Sequence, residues 1–271
     1  MSDKIPVKLS GVPETLLMTL NVRASETLRP GGLCKDENAV AILRQLDVDL
    51  HRLQMHGHDV IAVIMRMRKF DEYASSFMAR NPGCTVVHVG CGLDTRYERV
   101  DDGQVEWFDL DLPEVIQLRR QVLPPDTPLH HTLTASALDE GWMVQVAATK
   151  PQAVLFISEG VLPYFTGDQV KTLVTRILKH FPGSEFVCDI HSPFVVWADN
   201  IHLVIAGVEA RLRWGMKDAR EMETWGRGIR LLEAWNYYEN EDPLMKNYRC
   251  LRFIPGLAHS VGIYHYQLGG T

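Results

Sequence analysis

The sequence predicts an α/β fold: a mostly parallel, doubly wound sheet with an antiparallel C-terminal strand, behind a helical N-terminal cap. Two observations carry that expectation. Apolar residues keep a helical period through about residue 80, then give way to short β-branched runs that alternate with helices, the pattern of a parallel sheet. The final stretch, Ile263-Tyr264-His265-Tyr266, alternates with period two and follows no strong helix, so it is free to pair antiparallel.

In the cap, Asp36 is placed to accept from the first turn of a helix whose Ala39, Ile42, Leu43 and Leu46 share one face. Val60, Val63, Ile64, Met67, Phe70, Ala74, Phe77 and Met78 line a longer helix, which Asn81-Pro82-Gly83 stops. Strands are then expected at Thr85–Val89, Val105–Leu110, Leu129–Leu133, Ala153–Ser158 and Glu185–Ile190. Pro113 suits the first position of a helix carried by Glu114–Val122. Thr166-x-x-Gln169 has the capping-box form and opens a helix through Leu173, Ile177 and Leu178, ended by Pro182-Gly183. About 193–238 reads as mostly helical, with Trp197, Trp214, Trp225 and Trp235 along it, and Leu251–Ile254 with Gly262–Leu268 as two closing strands. The expected organisation is one domain over 1–271: a cap over 1–82 and a core over 83–271 with a helical insertion near 193–238.

Composition narrows the function classes. Apolar residues at 46% and charged residues at 23% are ordinary for a soluble globular chain. Lys plus Arg number 28 against 34 Asp plus Glu, and a net charge of −6 does not attract nucleic acid or an anionic membrane. No apolar run approaches the ~18 residues of a membrane span, and the opening Met-Ser-Asp-Lys-Ile-Pro does not read as a secretory signal. Cys34, Cys84, Cys91, Cys188 and Cys250 are scattered without a CxxC pair, as expected of reduced thiols in the cytoplasm. His56/His58 and His130/His131 read as loop or strand-edge residues, and no bound metal is expected.

In an open α/β sheet, ligands sit at the carboxyl ends of the strands. The first core strand ends in Gly90-Cys91-Gly92, a turn that brings backbone close to a ligand. The second ends in Asp109-Leu110-Asp111. Asp111 falls 21 residues after Gly90, the separation at which a carboxylate meets ribose hydroxyls. Asp109, on the same side of an extended strand, is the competing acid. A nicotinamide cofactor wants a third glycine where this chain has Thr95, because its pyrophosphate approaches there. S-adenosylmethionine has no pyrophosphate and fits better.

Gly90-Cys91-Gly92-Leu93-Asp94-Thr95-Arg96, then Asp109-Leu110-Asp111-Leu112-Pro113-Glu114-Val115-Ile116, then Ser158-Glu159-Gly160-Val161-Leu162-Pro163-Tyr164 resemble the leucine carboxyl methyltransferase family. The similarity is closer to its bacterial polyketide-biosynthesis O-methyltransferases of the tetracenomycin type. Arg66-Met67-Arg68-Lys69-Phe70-Asp71 fits that family's arginine-rich segment, and Trp225-Gly226, Ile254-Pro255 and Gly262 to Gly269 fit its ending. The resemblance implies a class I S-adenosylmethionine-dependent methyltransferase fold and esterification of a small-molecule carboxylate or a related oxygen. It places Gly90, Cys91 and Gly92 along the methionine part, Asp111 at the ribose, Ser136 and Ala137 at the adenine, and Glu159 near the methionine ammonium. Arg66 would meet the methionine carboxylate or the substrate. Arg66 and Arg68, two residues apart on a helix, point to different sides, so at most one enters the site. Ser136 departs from the Asp usual there, which removes a charge from the adenine edge. Tyr164 and Arg23 are the expected catalytic pair, gripping a carboxylate that is already ionised and needs no base. A phenolic acceptor would instead call for a base such as His191. Methylation of a protein or peptide C-terminus, a dehydrogenase, and cofactor binding without turnover remain the rival readings, and the oligomeric state stays open.

Overall fold

The main sheet begins where the helical period stops. In the computed structural model, which describes residues 4–9, 11–49, 54–205, 207, 209–254 and 256–270, seven strands form the main sheet. They are β1 Thr85–Val89, β2 Glu106–Asp111, β3 His130–Thr134, β4 Val154–Ser158, β5 Ser184–His191, β6 Ile229–Asn236 and β7 Val261–Leu268. Their order across the sheet is β3-β2-β1-β4-β5-β7-β6. β1 to β5 run parallel, and β7 lies antiparallel between β5 and β6. The winding reverses between β1 and β4, so the ligand crevice of such a sheet opens above the ends of these two strands.

β1 and β4 are buried along their whole length, which is why they read as unbroken apolar runs. Val87, Phe156 and Phe186 pack beneath Trp142, Leu173 and Ile177 on one face. Val86, Leu155 and Val187 pack against Phe70, Phe77 and Trp107 on the other. The cap consists of α1 Leu16–Leu28, α2 Glu37–Gln45 and α3 His58–Arg80, with Ile5–Pro6 paired to Leu46–Asp47. Asp36 accepts the Ala39 N–H at 2.9 Å, and α3 stops just before Asn81-Pro82-Gly83. The remaining helices are α4 Arg96–Val100, α5 Pro113–Val122, α6 Gly141–Ala148, α7 Gly167–His180 and α8 Pro193–Ile205. Thr166 and Gln169 close the reciprocal capping box at the start of α7.

Two expectations fail in the C-terminal third. The stretch 193–238 is helical only in α8 and a 3-10 segment, Ala219–Thr224; its end is the edge strand β6. The strand was hard to see because Arg230, Leu232, Glu233 and Ala234 are all exposed and a register shift between Leu231 and Glu233 breaks the alternation. Leu251–Ile254 is no strand either: Arg249–Phe253 forms a 3-10 turn with Phe253 75% exposed. β7 therefore pairs with β6, not with that segment. Pro255, quoted for the resemblance, and Met1 to Asp3 lie outside the described residues. Among the described residues no helix is long and apolar enough to cross a membrane.

Candidate active site

A cavity of about 790 Å³ opens above the β1 and β4 ends, between the cap helices and α8. Arg23, Arg66, Gly90, Cys91, Gly92, Asp111, Ser136, Ala137, Glu159 and Tyr164 all line it. At its floor, Gly90 and Cys91 donate their N–H groups to Leu110 O at 2.8 and 3.1 Å, tying the first turn to β2. Gly90 (φ 73°) and Gly92 (φ 54°) are left-handed, and a Cβ on Gly90 would lie 2.2 Å from Val161 Cγ2. The Thr95 hydroxyl, at the place of the missing third glycine, donates to Asp36 at 3.2 Å and is fully buried.

The two acids of β2 have separate tasks. Asp109 is 1% exposed and accepts from Arg119, from Trp107 Nε1 at 2.9 Å and from His130 Nε2 at 2.8 Å. Burial opposes its charge, but Arg119, His130 and His88 outweigh that and hold its pKa far below the carboxylate range. Asp111 faces the cavity. Its Oδ2 accepts the Gly92 N–H and its Oδ1 the Leu112 N–H, both at 2.7 Å, leaving one lone pair on each oxygen for a ligand. Burial raises its pKa against those two bonds.

Beside the turn lies a closed charge network. Arg66 bridges Glu159 (2.9 Å) and Asp189 (3.0 Å); Arg96 reaches Glu159 (2.5 Å), Asp71 (2.7 Å) and Asp94 (3.2 Å). Arg23 holds Asp36 (2.7 Å) and Asp94 (3.0 Å), and Arg99 joins Asp36, Asp71 and Asp94. Four guanidiniums thus meet five carboxylates, a formal surplus of one negative charge, which suits a cationic occupant. For Glu159, burial favours the neutral form, but Arg96 and Arg66 prevail and keep its pKa below the ordinary value.

Arg23 lines the cavity from the cap, as expected, but its Nη1 is held by two carboxylates and its Nη2 by Leu93 O at 3.1 Å, so the guanidinium ties α1 to the glycine turn. Arg66 uses Nε and Nη1 for its two carboxylates, while no hydrogen bond within the described residues occupies Nη2. Arg68 turns away and donates to Leu33 O. Tyr164 donates to Thr15 Oγ1 at 3.3 Å, and burial pushes its phenol pKa up. Ser136 donates its N–H to Asp139 at 3.1 Å, and Trp142 Nε1 donates to Ala137 O at 3.3 Å, so the segment over the β3 end is fixed by its neighbours.

Sequence reasoning assigned no role to Asp189, Asp94 or Arg96. Asp189 is fully buried and accepts the Gly160 N–H at 2.8 Å as well as Arg66, holding the turn after β4. The signal was a lone acid inside the apolar run Phe186-Val187-Cys188-Asp189-Ile190.

Comparison with known proteins gives the family and the fold. The family profile of leucine carboxyl methyltransferases matches residues 16–178. The chain is 32% identical over 235 residues to the tetracenomycin polyketide synthesis O-methyltransferase TcmP of Streptomyces glaucescens, covering 86% of each chain. It is 31% identical over 251 residues to the S-adenosyl-L-methionine-dependent methyltransferase dpfgK of Gibberella zeae, covering 85% of this chain and 84% of that one. In fold it is similar to a solved protein of Thermobifida fusca YX, with a TM-score of 0.60 at 15% identity over 96% of both chains.

Proposed function

Because the chain belongs to the leucine carboxyl methyltransferase family of S-adenosylmethionine-dependent enzymes, we propose that it methylates an oxygen of a small molecule held in the cavity above β1 and β4. The observation that carries this reading is the convergence of Asp111, the Gly90–Gly92 turn and the Arg66–Glu159–Asp189 cluster on one cavity. Each part fits the cofactor. Asp111 has free lone pairs for ribose hydroxyls, the network's surplus charge suits an ammonium and a sulfonium, and Arg66 Nη2 is available to the methionine carboxylate. The cofactor supplies an electrophilic methyl group on a positively charged sulfur. The protein's own contribution is to hold the acceptor in line with that methyl and to keep water out.

The cavity's size lies within the ~300–1,000 Å³ of ordinary small-ligand sites. Phe165, Tyr237 and Tyr238 line it together with Phe194, Val195 and Ala198 of α8, which favours a compact, partly aromatic acceptor over a peptide end. The expected carboxylate acceptor is less well served. Arg23 and Arg66 are the lining guanidiniums; each already bridges two carboxylates, and the one free nitrogen of Arg66 is matched by the methionine end. Calorimetry tests the cofactor assignment: S-adenosylhomocysteine is expected to bind and NAD is not. Tight binding of NAD without S-adenosylhomocysteine would refute it.

A further inference from the structure

We propose that the acceptor oxygen is a phenolic hydroxyl and that His191, positioned by Asp199, is the base that takes its proton; this rests on the methyltransferase reading above. His191 ends β5, two residues past Asp189 and on the same strand face, so its backbone lies about 7 Å further along the strand than that of Asp189, which accepts the Gly160 N–H. It lines the same cavity as Tyr164 and Glu159. Its Nδ1 is shut off from solvent and lies 3.2 Å from Asp199 Oδ2 on α8, near enough to pair though not yet aligned as a hydrogen bond. Such slack is common in unliganded sites and tightens around a substrate. Nε2 is the nitrogen left to the cavity.

The surroundings hold this pair in place. Asn200, next to Asp199, exchanges two 2.9 Å hydrogen bonds with the backbone of Leu212, anchoring α8. The following segment joins the base to the tyrosine turn: Arg213 and Trp214 donate to Pro163 O at 2.7 and 3.1 Å, and Met216 donates to His191 O at 2.9 Å. Gly215 permits this, since a Cβ there would lie 2.6 Å from His191 O. Other lining histidines are differently engaged. His88 Nε2 bonds Arg96 at 3.1 Å with its Nδ1 buried, and His58 is stacked on Tyr238 and edge-on to Tyr248 with its Nε2 buried. His56 is exposed at the rim.

The step balances without a further reagent. The hydroxyl proton passes to His191 Nε2 as the oxygen lone pair forms the new O–C bond. The C–S bond breaks with its electrons returning to sulfur, giving a methyl ether, S-adenosylhomocysteine and an imidazolium that returns its proton to water. Charged or titratable groups that line the cavity with His191 include Asp199 from α8, Asp189 from its own strand, Arg66, His58 and Asp59 from α3, Glu159 and Tyr164 from the turn after β4, and Tyr237 and Tyr238 after β6. Burial pushes the pKa of the Tyr164 and Tyr238 phenols up, so neither tyrosine is a base near neutrality.

The test uses the full chain, labelled S-adenosylmethionine and three probes: 2-naphthol, 2-naphthoic acid and 6-hydroxy-2-naphthoic acid, which offers both oxygens on one skeleton. A base-stable methyl ether is expected, at a rate rising from pH 6 to 8. His191→Ala should lose at least about 100-fold in kcat/KM while binding S-adenosylhomocysteine as the parent does, and added imidazole should restore part of the rate. Asp199→Asn should move the pH–rate midpoint downward, because a negative neighbour favours the imidazolium. A base-labile ester, a flat pH profile, an undiminished rate in His191→Ala, or transfer to none of the probes by protein that binds S-adenosylhomocysteine overturns the proposal. Failure of the parent protein to bind S-adenosylhomocysteine would instead overturn the methyltransferase reading beneath it.

Discussion

Replacing Asp111 and Asp109 separately by Asn should divide ligand binding from stability. Asp111→Asn keeps the side chain's shape and one acceptor oxygen but removes the charge. A hydrogen bond to a charged group contributes ~1.5–3 kcal/mol against ~0.5–1.5 for a neutral one. Two ribose hydroxyls on the two free lone pairs therefore lose about 1 kcal/mol each, about 2 together, or roughly 30-fold in affinity. Stability should change little, because burial already disfavours the Asp111 charge in the fold. Asp109→Asn does the reverse: it leaves the guanidinium of Arg119, itself 3% exposed, without its carboxylate. Breaking a buried pair costs ~3–5 kcal/mol, and at ~2–4 °C per kcal/mol for a chain of this size the melting temperature falls by roughly 6–20 °C. Titration calorimetry with S-adenosylhomocysteine and scanning calorimetry read the two effects. The reasoning is refuted if Asp109→Asn shows the larger loss of affinity with unchanged melting, or if Asp111→Asn binds within about twofold of the parent.

The affinity for S-adenosylhomocysteine should fall on acidification through a pH above the ordinary Asp value of ~3.9, because protonating Asp111, whose pKa is raised, removes the charged acceptor; titrations in Asp111→Asn should lack that step. Asp109 has the opposite sign. Its pKa is depressed in the fold, so its contribution to stability is present above ~3.9 and drains away as the pH drops below it, which acid-unfolding curves of the Asp109→Asn variant should lack. Gly90→Ala should lower the melting temperature through both its positive φ, at ~1–2 kcal/mol, and the contact with Val161; adding Val161→Ala should recover the contact part only. Arg23→Ala should also lower the melting temperature by several degrees, since Asp36 and Asp94 lose a shared partner; unchanged melting with lost turnover would return Arg23 to a substrate role.

Most of the sheet was legible because its central strands are buried on both faces and read as apolar runs, and because Pro113, Thr166 and Asp36 carry helix-start chemistry that local sequence determines. The edge strand β6 was not, since three consecutive exposed residues and a register shift erase the period that marks a strand. The cofactor side of the site was legible wherever one turn and one spacing specify it, as at Gly90 and Asp111. Arg23 shows the limit: its partners Asp36 and Asp94 lie 13 and 71 residues away, and a spent guanidinium cannot be told from a free one until those partners are located. Asp199 was missed for the same reason, its meaning depending on how α8 folds back onto His191.

The unmatched carboxylate in the network makes the site's grip depend on the charge of what it holds. Methyl transfer converts a sulfonium into a neutral thioether, so an attraction present before the step is absent after it. The arginines and acids are locked into one another by hydrogen bonds and have little freedom to rearrange around the altered molecule. Turnover thus discharges its own by-product, and the electrostatic part of the driving force for exchanging spent donor against fresh is written into a fixed count of side chains.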